Sequence, residues 1–198
     1  MMQKILLTLI WLTASLSAYS QNLNWAYAPG STSPEAGQAI ESDLDGNVYT
    51  TGYFENIVDF DPGAANDYKS SYGGDDIFIT KYDQNGNYQW TINIGGTLDD
   101  RGFDLKADAS GNIYVTGYVQ GTVFVDPLNP GETRTCTGGR DILVAKYDQN
   151  GAFVFAHTIG SGTHDEGYGI DVDASGNIAI TGMFTATADF DPGVGTAF

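Results

Sequence analysis

Carboxylates carry most of the chemistry open to this sequence. Asp43-Leu44-Asp45-Gly46-Asn47 and Asp83-Gln84-Asn85-Gly86-Asn87 match the opening of a calcium loop, where alternate Asp and Asn oxygens meet a hard cation. Such a loop also needs a bidentate acid six residues after its glycine. Gly52 and Ile92 stand there instead, so the match fails. The same residues are what a hairpin turn requires, with Gly for a positive φ and Asp or Asn to accept backbone amides. A second acidic pattern is Asp59-Phe60-Asp61-Pro62, which returns as Asp189-Phe190-Asp191-Pro192. Two carboxylates two apart in an extended segment point to one side. Asp59, Asp61, Asp189 and Asp191 are therefore the candidate metal ligands, with Ca²⁺ as the ion they would suit; a basic partner is the alternative. The competing reading is an edge strand stopped by Pro and solvated acids. Phe124 stands where Asp59 and Asp189 stand in their copies, which favours that reading. No other cofactor is expected.

Catalytic constellations are missing. His157 and His164 lie in no His-Glu-x-x-His spacing, and there is no Gly-x-Ser-x-Gly nucleophile elbow. His164-Asp165-Glu166 reads as a solvated loop. Asp99-Asp100 is an acid pair of the kind a glycosidase uses, but its spatial separation is not in the sequence. Cys136 is the single cysteine, so no intramolecular disulfide can form, and nothing basic adjoins it to lower its pKa. No catalytic residue is assigned and no enzymatic activity is expected.

The elements behind these residues are set by repetition. Gly46, Gly111 and Gly176 are 65 residues apart, and a shift of that length aligns the chain without a gap. Asp61-Pro62, Asp126-Pro127 and Asp191-Pro192 coincide, as do Gly37, Gly102 and Gly167. Trp25, Trp90 and Phe155 hold one aromatic position, read as packing between repeats rather than as a sugar platform. Each repeat reads as four strands. In the middle copy they cover about residues 102–108, 113–119, 141–147 and 153–159, with a long connection between the second and third. That connection is expected to hold a short extra edge strand, stopped at Pro127.

Gly73 to Asp83, Trp90 to Gly96 and Asp108 to Tyr118, with the Asp-Phe-Asp-Pro-Gly insert, resemble the bacterial SBBP β-propeller repeat, in a version like that of secreted Bacteroidetes proteins. The resemblance covers residues 22–198. It implies an all-β propeller with four antiparallel strands per blade, export, and often a C-terminal sorting domain. It implies no particular reaction. The expected parts are a signal peptide (1–20), a lone strand (23–29), a blade (36–95), a second blade (101–160) and a half blade (166–198). Closing even a four-bladed ring at this period takes about 260 residues, so an incomplete, open ring cut from a longer protein is expected.

Composition agrees with this class. The 198 residues include 26 Gly, 12 Tyr and 10 Phe, and the formal net charge is −17. Such acidity opposes nucleic acid and anionic membrane surfaces by like-charge repulsion. Lys4, the apolar run over residues 5–16, and small Ala18 and Ser20 read as an export signal cleaved before Gln21; the run is too short to span a bilayer. The expectation is a secreted or cell-surface binding or scaffold module with an unknown protein or glycan ligand. A carbohydrate-active enzyme domain and a calcium-stabilised surface protein are the alternatives. Ligand contacts are expected on inserts 57–74, 122–139 and 187 onward, or on loops 97–101 and 162–166.

Overall fold

The computed structural model describes residues 25–27, 30 and 33–188. The expected signal segment, Asp189 and Asp191 lie outside them. The described residues form fourteen strands and no helix. The first unit is β1 (Glu35–Ser42), β2 (Val48–Phe54), β5 (Asp76–Tyr82) and β6 (Tyr88–Gly96). The second is β7 (Arg101–Ala107), β8 (Ile113–Val119), β11 (Asp141–Tyr147) and β12 (Phe153–Ile159). The third contributes β13 (Glu166–Val172) and β14 (Ile178–Met183). Within each unit, consecutive strands pair antiparallel.

The repeat is kept to the level of irregularities. The first strand of every unit has a bulge at one place, between Gly37 and Ala39, Gly102 and Asp104, and Gly167 and Gly169. The turn loops are also identical in mechanism. Asp108 Oδ1 accepts the amides of Ser110 (2.8 Å) and Asn112 (3.0 Å), while Oδ2 accepts the Asn112 side-chain amide (2.8 Å). Gly111 has φ 76°, a left-handed conformation that costs glycine nothing. Asp43, Asp83 and Asp173 do the same, and Tyr49 Oη adds a bond to Asp43 at 2.9 Å. The carboxylates are thus spent on their own backbone.

Strand alternation explains the apolar runs. In the second unit, Val115, Leu143 and Ala145 join Ile77, Ile79 and Ile94 of the first in one core. Their neighbours Tyr114, Ile142 and Val144 face the other way and join Ile170 of the third. A sheet covered on both faces needs apolar residues at every position, and β8 is buried throughout. Between sheets, Thr51 of the first unit fills the space beside Gly102 of the second, where a Cβ would meet its Oγ1 at 2.5 Å. Thr116 stands in the same relation to Gly167, at 2.2 Å. Trp90 lies on the turn glycine Gly151 of the next unit, as Trp25 lies on Gly86, so this aromatic position packs between units.

The long connection differs from an edge strand stopped by proline. It folds into a hairpin, β3 (Ile57–Asp59) with β4 (Tyr68–Ser70), and β9 (Thr122–Phe124) with β10 (Thr133–Thr135). β9 pairs with the last strand of the preceding unit, Gly95 with Phe124 and Gly96 with Val123. Gly30 bridges Asp59 in the same register. The insert therefore extends the neighbouring sheet, because its free amides and carbonyls are satisfied there.

Candidate functional site

Two of the three arginines lie where successive units meet. Asp75 precedes β5 and is 7 % exposed. Its Oδ2 receives the Arg101 guanidinium through Nε (2.8 Å) and Nη2 (2.6 Å), and that guanidinium stacks 4.2 Å from the Tyr53 ring centroid. Burial lowers the Arg101 pKa, but the Asp75 bond and carboxylate raise it further, and the net shift is upward. At the next joint the charges trade places. Arg140, the counterpart of Asp75, binds Glu166, the counterpart of Arg101, and stacks 4.2 Å from the Tyr118 ring. The guanidinium site on the tyrosine is constant; only the strand that supplies it changes.

The bulge projects one residue per unit with no cross-strand partner: Gln38, Phe103 and Tyr168. Phe103 meets Tyr118 edge-on at 5.6 Å and Tyr168 at 5.8 Å. Tyr168 is 49 % exposed and its Oη donates to Glu166 Oε2 at 3.2 Å. The result is a row of rings and guanidiniums crossing both joints. Burial raises the Tyr118 pKa against the lowering effect of Arg101 and Arg140, so its hydroxyl stays protonated.

Behind this row lie four buried carboxylates in two equivalent pairs. Asp100 accepts the amides of Gly96 (2.8 Å) and Gln120 (2.7 Å); Asp165 accepts those of Ser161 (2.6 Å) and Thr185 (2.7 Å). Asp76 and Asp141 each receive one amide on Oδ2, from Tyr72 (2.9 Å) and Thr137 (2.8 Å), while Oδ1 has no donor. Burial pushes the Asp76 carboxyl up to about 7 and Asp100 up to about 8, outweighing the amides that lower them; Asp141 also moves up.

The predicted acids lie elsewhere. Asp59 Oδ1 accepts the amides of Asp61 (3.1 Å) and Asp67 (2.8 Å), and Asp61 Oδ1 accepts that of Gly63 (2.7 Å). Both carboxylates close the hairpin loop around buried Phe60, whose carbonyl takes the Tyr82 hydroxyl at 3.1 Å. Among the described residues, no three His, Cys, Asp or Glu side chains are grouped as a metal would require. His157 packs 5.4 Å from Phe155, apart from His164 in its loop. Burial, then Asp141, pushes the Cys136 thiol up to about 12, opposite to what a nucleophile needs. Sequence reasoning missed Tyr53, Asp75, Arg101, Phe103, Tyr118, Arg140 and Tyr168. A signal was present: Asp75 becomes Arg140 and Arg101 becomes Glu166 in the same repeat register.

No protein-family model matches the chain. It is 28 % identical over 113 residues to an uncharacterized WD repeat-containing protein, L264, of Acanthamoeba polyphaga mimivirus, covering 50 % of the chain and 8 % of that protein. It is 26 % identical over 167 residues to the regulatory protein FlaEY of Caulobacter vibrioides, covering 81 % of the chain and 17 % of that protein. The chain therefore spans a small part of either relative. The first of these relatives is named as a repeat-containing protein, in keeping with the repeated antiparallel sheets of this chain.

Proposed function

We propose that this chain is a binding or scaffold module whose sheets are consecutive propeller blades of the SBBP type, exported to the cell surface or beyond. The distant WD-repeat likeness supports an interaction role, and the regular stacking of four-stranded sheets supports blades. The observation that carries a binding role is the bulge position. Residues repeated at every copy build the sheets, whereas Gln38, Phe103 and Tyr168 differ at one equivalent place on the inner strands. A ligand site breaks a repeat in this manner, because a ligand is not itself repeated. The face offers aromatic rings beside a phenol and a carboxylate, which suits a glycan ring with apolar CH faces and peripheral hydroxyls. No reaction is proposed: the acids with raised pKa are sealed from solvent, with Asp76 and Asp100 at 0 % exposure. Screening the full chain against a glycan library, with Phe103→Ala and Tyr168→Ala as controls, tests the reading. The expected result is glycan binding weakened at least about tenfold by either substitution, corresponding to the loss of one stacked ring. Binding unaffected by both, or retention of protein ligands alone, rejects the glycan site.

A further inference from the structure

The exchange of charges between joints is not an isolated event. On the inner strands Glu41, Lys106 and Asp171 occupy one repeat position, so charge alternates from unit to unit. Lys106 Nζ binds Glu41 Oε1 at 2.7 Å, and the Glu41 bond leads the causes that raise its pKa, with Asp171 a further one. At the joints, Asp75 meets Arg101 and Arg140 meets Glu166. Units that share turns, bulges and a register of apolar positions present similar faces to one another.

We propose that these alternating charges determine which units may pack together, so that Asp75, Arg101, Lys106, Arg140 and Glu166 are order-specifying residues. Two out-of-order contacts meet a like charge at both layers. If the third unit packed directly on the first, Asp75 would face Glu166 and Glu41 would face Asp171. If the second unit of one copy packed on the second unit of another, Arg140 would face Arg101 and Lys106 would face its own counterpart. The carboxylates at the joints are poorly solvated, Asp75 at 10 % and Glu166 at 12 % side-chain exposure, so water relieves an acid facing an acid there only weakly, whereas Arg101 and Arg140, at 37 % and 35 %, are better screened. With the first unit behind the second, Arg140 would face Ala36 and only the Lys106–Glu41 layer would attract, so the correct order alone gives opposite charges at both layers.

The test refolds the full chain at high concentration and reads oligomeric state by light scattering and stability by thermal melting. R140D and E166R singly should lower the melting temperature, and R140D/E166R together should recover most of it, which establishes that the joint is rebuilt. In that double variant both joints have one polarity, so out-of-order contacts are permitted and exchanged dimers should rise several-fold over wild type. Adding Lys106→Gln should raise them further. D75R/R101D/R140D/E166R restores alternation with every sign reversed and should return the dimer fraction to the wild-type level. A double variant no more stable than the singles overturns the proposal. So does a dimer fraction that is the same in wild type, double and quadruple variants.

Discussion

At the scale of residues, one side chain does the work of a whole turn. Asp108 accepts three bonds from its own loop and a fourth from the Tyr114 hydroxyl at 3.2 Å. Burial alone would raise its pKa, but the Asn112, backbone and Tyr114 donors outweigh it, and the net shift is downward. Replacing Asp108 by Ala leaves those donors without an acceptor and should cost about 1–2 kcal/mol in chemical denaturation, as for loss of a comparable cap. Asp108→Asn, which keeps one acceptor oxygen, should cost less. The identity of these residues as turn formers was legible, since Asp and Gly at that spacing satisfy a hairpin and the sixth residue past glycine cannot hold calcium. The clasp was not. Asp75 and Arg101 lie 26 residues apart, and only the packing of one unit on the next brings them together.

Elements meet through a knob and a socket. A methyl group at Gly102 would collide with Thr51 Oγ1 at 2.5 Å and press Ile77 at 3.0 Å, both in the core of the preceding sheet. Gly102→Ala should therefore destabilise the chain by about 1–3 kcal/mol through overpacking. Gly37 is the same position one repeat earlier, with nothing within 4 Å of its added Cβ. Gly37→Ala should be nearly neutral, and comparing the two melting temperatures separates packing from backbone effects. The strands themselves were readable from alternating and continuous apolar runs. The insert was not, because a three-residue strand beside Pro127 has the composition of an edge whichever sheet it joins. Hydrogen bonds from β9 to Gly95 and Gly96 decided it.

Over the whole molecule, two sets of aspartates oppose one another in their response to pH. The turn acids, Asp43 and Asp108 among them, have lowered pKa values, so their stabilisation is present above the unfolded value and lost as pH falls through the folded one. Asp76 and Asp100 are raised to about 7 and about 8. The unfolded chain ionises them near pH 4 while the folded chain still holds its protons, so stability falls between about pH 4 and 8 and then levels. Melting should therefore be highest near pH 4–5, where neither loss is complete. Asp76→Asn should flatten the decline towards pH 8; a decline of unchanged slope would mean that Asp76 does not carry it.

The sequence by itself determined the period, the all-β character, the turn chemistry and the two-sided burial of the strands. These are local or periodic properties: a turn is made by residues within five positions, and a face by every second residue. Tertiary structure alone decided which periods touch, and therefore the Tyr-stacked guanidinium row, the orphan oxygens of Asp76 and Asp141, and the sheet that each insert joins. Those depend on groups brought together across unit boundaries, where sequence distance no longer measures separation in space.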